Sequence, residues 1–339
     1  MAPKAAAAAG KKIGKELRLT DLSHCCWSCS ASPATYTCTK CMEARYCDRK
    51  CQTEHWRSHK PKCKTPEERT QQKKLNQDLI TASHDDNLQL VLGLIAQGAE
   101  VKYHWAEQGG CTALHAAAHQ GLVRVADALI AAGSEVEAVG SNGLTACHAA
   151  AQFGHVDVLR RLVLAGADVN RVANDGGRIG ERPLTLAALY GQAAAIDFLV
   201  SAGAIVDLHR VDGFAALHLA SQQGKLEAVR SLIRAGADVN LALANEFGDS
   251  PIISAAMCGH AAVIKALAEA GADVNFVRAM NRSTALVMAS EDGHEAAVRV
   301  LLSLGADPSL VCTDGGTAFD HALHFNHPVV VLLLLGFKT

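Results

Sequence analysis

Eight of the twelve cysteines stand in one stretch, CCWSCSASPATYTCTKCMEARYCDRKCQTEHWRSHKPKC, from Cys25 to Cys63. Within it, Cys26-x2-Cys29, Cys38-x2-Cys41, Cys47-x3-Cys51 and His59-x3-Cys63 form four ligand pairs, enough for two tetrahedral metal sites. A two-residue gap lets two thiolates of a tight turn reach one ion, and a three-residue gap puts ligands at i and i+4 on one helical face. Zinc held by four Cys, or by three Cys and one His, has no open position for water, so such sites are structural and no zinc hydrolase is indicated. The segment from Cys26 to Cys63 has only 38 residues, too few for a hydrophobic core to suffice, and metal binding would supply its folding energy. The competing reading is a disulfide framework, which needs an oxidising compartment. The N-terminal MAPKAAAAAGKKIGKELRL argues against one, because its five alanines fall short of the roughly 7–15 apolar residues of a secretory signal.

The order of the pairs, Tyr46 before Cys47, Gln52 after Cys51 and the closing HWRSHKPKC resemble a MYND-type zinc finger at all eight ligand positions. The resemblance implies interleaved sites, with Cys26, Cys29, Cys47 and Cys51 on one zinc ion and Cys38, Cys41, His59 and Cys63 on the other. Spacing alone does not establish the interleaving, and Cys25 is an alternative to Cys26 as first ligand. The resemblance also implies a groove for short proline-containing peptides at Gln52, Trp56 and Thr39. Trp56 offers a rigid apolar platform with one hydrogen-bond donor, which suits packing against proline and equally suits a small core.

Residues 1–75 carry sixteen Lys and Arg against seven Asp and Glu, a formal +9, while the other 264 carry sixteen against twenty-seven, or −11. Residues 1–24 read as a flexible N-terminus, 25–63 as the finger, and KTPEERTQQKKLNQD from Lys64 to Asp78 as a polar linker or a helical extension of the finger. The basic N-terminal part also raises nucleic-acid contact as an alternative, though no recognition-helix motif or RNA-binding aromatic signature supports it.

Beyond the linker the chain repeats itself. Gly98, Gly133, Gly166, Gly203, Gly236, Gly271 and Gly305 recur in AQGAEV, AAGSEV, LAGADVN, SAGAIVD, RAGADVN, EAGADVN and SLGADPS, at intervals of 33 to 37 residues. The period and segments such as CTALHAAAHQGLVRVADALIAAGSEV resemble ankyrin repeats over residues 79–339, which implies a mostly α fold, a solenoid of about six full repeats with terminal caps. In one unit Thr112 caps a first helix, Ala116 and Ala117 allow close packing, Gly121 ends it, and a second helix starts at Val123 with Leu129 and Ile130 on its apolar face. Stacking such pairs explains a chain 49% hydrophobic but only 4% aromatic, since Ala and Leu fill thin interhelical layers.

His115, His148 and His218 occupy the histidine position of the repeat, where a hydrogen bond to a neighbouring loop is expected; Thr185 replaces it in a unit lengthened near Gly176 to Gly180. Cys111, Cys147, Cys258 and Cys312 have no paired spacing and read as small core or semi-exposed residues. His321, His324 and His327 recur every three residues with no Cys or carboxylate cluster in the sequence around them to complete a metal site, and VVVLLLLG at Val329 to Gly336 reads as a buried last helix. By resemblance Asn170, Asn240 and Asn275 match asparagines that are hydroxylated in ankyrin proteins.

The function these features imply is an adaptor that binds other proteins through the concave face of the stack and proline-containing peptides through the finger. No nucleophile stands with its base, so an enzyme is not expected; a chromatin regulator or an accessory subunit of an enzyme complex is the alternative. A monomer that works in cytoplasm, nucleus or both fits the reading.

Overall fold

A computed structural model describes residues 64–140, 142–173 and 180–336, together with the backbone of two short strands nearer the N-terminus. The chain divides into two units, Met1–Leu75 and Asn76–Thr339. In the first, β1 (Tyr36–Thr37) and β2 (Arg45–Tyr46) pair antiparallel, Tyr36 opposite Tyr46 and Thr37 opposite Arg45. The polar stretch after the cysteines is helical: α1 spans Pro66–His84. Its start is a T-x-x-E box with Pro66 in the first turn, in which Glu68 Oε2 accepts from Thr65 N at 2.8 Å and Thr65 Oγ1 from Glu68 N at 3.1 Å.

The second unit is a row of helix pairs. After α2 (Leu88–Ala96) come seven antiparallel pairs: α3 (Ala113–Gln120) with α4 (Val123–Ala131), α5 (Ala146–Phe153) with α6 (Val156–Leu164), α7 (Pro183–Tyr190) with α8 (Ala193–Ser201), α9 (Ala216–Gln222) with α10 (Leu226–Arg234), α11 (Pro251–Met257) with α12 (Ala261–Glu269), α13 (Ala285–Glu291) with α14 (Glu295–Ser303), and α15 (Ala318–His324) with α16 (Pro328–Gly336). Each odd-numbered helix from α3 on packs on the next odd one, and each even-numbered helix on the next even one. No described helix is long and apolar enough to cross a membrane.

The expected cap is present. Thr112 sits extended (φ −102°, ψ 168°), and its hydroxyl pairs with the backbone and ring of His115 in a capping box. Alanine is what the inner row requires: Ala117, Ala150, Ala187, Ala220, Ala255 and Ala289 are fully buried where neighbouring backbones approach. The outer row contributes larger anchors such as Leu129, Leu162, Leu199, Leu232, Leu267 and Leu301, all at 0% exposure, each of which would cost about 2–5 kcal/mol if cut to alanine.

The buried imidazoles do what their position implies. Nε2 of His115 donates to Leu144 O (3.0 Å), of His148 to Glu181 O (3.3 Å) and of His218 to Leu241 O (2.8 Å) and Asp249 O (3.1 Å), tying each inner helix to the next loop. Burial makes the charged ring costly and pushes His148 and His218 down to about 4. In the next pair Thr185 donates instead to Glu181 Oε2 at 2.6 Å, and Glu181 in turn ion-pairs with Arg210, which also grips Asp212. The lengthened loop of that unit, 174–179, lies outside the described residues.

A second series of side chains stitches the turns between inner and outer helices. Nε2 of His155, His260, His294 and His327 donates to the carbonyls of His119, Gln222, Met257 and Glu291 at 2.9–3.0 Å, and Gln192 serves Gln152 O in the same way. Each ring lies against the glycine that ends the preceding inner helix; at Gly121 (φ +75°) a Cβ would stand 2.5 Å from His155 Nδ1. Glycine is required there twice over, for the left-handed backbone and for the ring above it.

The last helix departs from expectation. Val330 and Leu334 of α16 are buried, but Leu332 is 67% and Leu335 46% exposed. Interior outer helices are covered by a following pair, and among the described residues nothing follows α16.

Candidate interaction surface

The eight zinc positions Cys26, Cys29, Cys38, Cys41, Cys47, Cys51, His59 and Cys63, and the peptide-groove positions Thr39, Gln52 and Trp56, lie outside the described residues. The surface that the structure does describe is a cleft of about 470 Å³ on the inner side of the stack, where the C-terminal part of α1 and the inner helices α3 and α5 meet the loops before them.

Its floor is aromatic and imidazole-rich. His84 stacks toward His119 at 6.4 Å between ring centroids, His119 meets Phe153 at 4.2 Å, and Phe153 stacks toward His155 at 6.3 Å. These rings come from successive units because the residue at or just before the end of each inner helix is set beside its counterpart in the next. Gln120 Nε2 lies 2.6 Å from His84 Nε2 and ties α1 to α3. Trp105 forms one wall; its backbone bridges Cys111, with Trp105 N donating to Cys111 O at 2.9 Å. The indole Nε1–H is buried without a hydrogen-bond partner among the described residues, so Trp105 meets the cleft with the apolar part of its ring.

The electrostatics favour a neutral ring at His119. Burial, then the proximity of His84 and His155, holds His119 below the usual imidazole range. Burial pushes the Cys111 thiol up, so it presents an apolar edge and not a thiolate. Cys147 is fully enclosed and its thiol is pushed up to about 12. Phe153 stays 38% exposed, an apolar side chain open to a ligand. Such a floor suits the apolar or aromatic side chains of a protein partner.

Sequence spacing did not point to this cleft. Its signal is a ring at or near the end of successive helices, His84 in α1, His119 in α3 and Phe153 in α5, with His155 in the turn that follows. The three C-terminal histidines are not brought together: His327 serves Glu291 O, His324 packs edge-on to Phe325, and only His321 turns toward acidic neighbours.

Comparison with known proteins agrees with the architecture. The family model for ankyrin repeats matches in three copies, over residues 79–173, 172–243 and 252–339, and the model for the MYND finger matches residues 26–63. Human ankyrin repeat domain-containing protein 63 is 38% identical over 73 residues, which is 22% of this chain and only 19% of that protein. The crystal structure of the human ASB11 ankyrin repeat domain superposes with a TM-score of 0.58 at 27% identity, covering 65% of this chain and 96% of that one. With three quarters of its length under the repeat model and its helix pairs stacked in register, the chain belongs to the ankyrin-repeat family and carries a MYND finger ahead of the repeats.

Proposed function

We propose that this protein is an adaptor that holds one protein partner in the cleft between α1, α3 and α5 and captures proline-containing peptides with its finger. The observation that carries the reading is the cleft itself: rings from consecutive units are exposed side by side, with Phe153 38% exposed. The acidic charge of residues 76–339 steers partners with basic patches toward this unit. A MYND finger implies structural zinc. Two ions, with Cys26, Cys29, Cys47 and Cys51 on one and Cys38, Cys41, His59 and Cys63 on the other, belong to this proposal. Thr39, Gln52 and Trp56 would line the peptide groove.

The test is a photo-crosslinking amino acid placed at Phe153 in the full chain, with Leu164, 76% exposed on an outer helix, as control position. Crosslinks to a discrete protein at 153 and not at 164 are expected; equal labelling at both would remove the cleft from the function. Proline-peptide arrays probed with wild type and Trp56→Ala test the finger, and undiminished binding by the variant would overturn that half.

A further inference from the structure

The loop that precedes α15 places three different donor atoms around one point. Cys312 Sγ, a carboxylate oxygen of Asp314 and a ring nitrogen of His321 all lie within 4.8 Å of one another. The loop is built to do this. Cys312 N donates to Gly316 O at 2.9 Å and closes the turn, Gly316 N donates to Asp314 Oδ1 at 2.9 Å and fixes the carboxylate, and Thr313 N donates to Asn281 O at 2.9 Å and anchors the loop to the preceding unit. A helical side chain leans toward its own N-terminus, so His321, one turn into α15, folds back over the loop. Gly316 makes room for it, since a Cβ there would stand 3.0 Å from His321 Nε2.

One donor of the cluster is left over among the described residues. His321 Nε2 is buried and makes no hydrogen bond to them; Asp314 Oδ2 is 3.5 Å away, too far for a direct bond but about the separation that two donors keep around one tetrahedral ion with bonds near 2.0–2.3 Å. On the far side of the ring Glu291 Oε2 lies 3.7 Å from Nδ1, the place of the carboxylate that orients a metal-binding histidine. Ser283 Oγ, 3.3 Å from Cys312 Sγ, supports the sulfur. Cys312 is 6% exposed whereas the Asp314 side chain is 62% exposed, so the site has a closed side and an entry.

We infer that Cys312, Asp314 and His321 form a binding site for a divalent cation of the zinc class, with Glu291 as positioning residue and the fourth coordination position open to water or to a donor from a partner. One sulfur, one imidazole nitrogen and one carboxylate oxygen fit zinc and not calcium or magnesium, which take oxygen ligands. The thiol binds as thiolate and gives its proton to solvent. This site is separate from the finger, more than 240 residues away in sequence. It also accounts for why only His321 of the three C-terminal histidines turns to this loop.

The measurement is zinc stoichiometry of the full chain by native mass spectrometry after equilibration with zinc alone, for wild type, His321→Ala and Asp314→Asn, with helical circular dichroism as the check on folding. Each variant is expected to hold one zinc fewer than wild type, whatever number the finger carries. Glu291→Gln is expected to lower affinity at this site by about 10- to 100-fold. Cobalt(II) bound in place of zinc should give near-ultraviolet thiolate-to-metal absorption, and Cys312→Ser should lower it by the share of one thiolate. Should His321→Ala not fold, the exposed Asp314→Asn decides; equal zinc counts in folded wild type and variant overturn the inference.

Discussion

Lowering the pH from 7.5 to 5 should weaken the stack through two buried imidazoles. His148 and His218 are at 0% exposure, each donates Nε2–H to a loop of the next unit, and burial holds both near 4 against an ordinary value of 6.5. Between those values the unfolded chain binds a proton at each ring and the folded chain does not. Stability therefore rises with pH across the window: it is complete above about 6.5, falls between 6.5 and 4, and levels off below. At pH 5 the gap to 6.5 is 1.5 units, which at 1.36 kcal/mol per unit is about 2 kcal/mol for each ring and about 4 kcal/mol for the two. Urea unfolding of wild type and His218→Gln at both pH values isolates one ring, and the stability lost on acidification should be smaller in the variant by about 2 kcal/mol, even though the variant is weaker at pH 7.5. Ring-proton NMR gives the second reading. Titration of His148 or His218 near 6.5 in the folded protein, or an unchanged pH dependence in the variant, would refute the reasoning.

Three further outcomes follow from the packing. Gly236→Ala, at φ +84° with open space around it, should cost about 1–2 kcal/mol for the left-handed backbone, while Gly224→Ala should cost clearly more, because its Cβ would meet the His260 ring at 2.6 Å and break the bond to Gln222 O; equal urea midpoints for the two variants would contradict this. Asp249 and Arg278 form a pair at 2.8 Å with both side chains less than a tenth exposed, so Asp249→Ala should lose about 3–5 kcal/mol, and Asp249→Leu with Arg278→Met should recover most of it in thermal unfolding. Chelation of the full chain should change the emission of Trp27 and Trp56 while the helical signal at 222 nm persists, since the finger depends on metal and the stack on its own layers.

The solenoid was legible because a 33-residue period is a physical demand: one helix pair cannot bury its apolar side, so the same glycine, cap and alanine positions return in every unit. Thr112, Gly121 and His115 accordingly fall where spacing puts them. The rest depended on contacts between units. His155 serves residue 119, His294 residue 257 and His327 residue 291, partners 36 or 37 positions back, and no local pattern relates them until the repeats are laid side by side. The spacing of His321, His324 and His327 suggested a shared face, but His321 finds Cys312 and Asp314 through a turn whose closure depends on Gly316. The apolar run of α16 looked buried because composition records what a helix can bury and not what lies beyond it.

The seams between units share one task, satisfying a buried polar group across a helix gap. From α3 to α11 three of the four seams use an imidazole held below its usual range by burial, at His115, His148 and His218. The seam between α9 and α11, which His218 closes, also holds Asp249: burial raises its carboxyl, with Arg278 opposing. In a stack whose stability is a sum of neighbour terms, acid then loosens the imidazole seams from α3 to α11 ahead of the seams beyond them. Those at His115 and His148 lie on either side of α5 in the cleft. Hydrogen exchange at pH 5 and 7.5, compared at equal intrinsic rates, should show protection lost in α3 and α5 while α13 and α14 hold; earlier opening of α13 and α14 would show that the seams do not act independently.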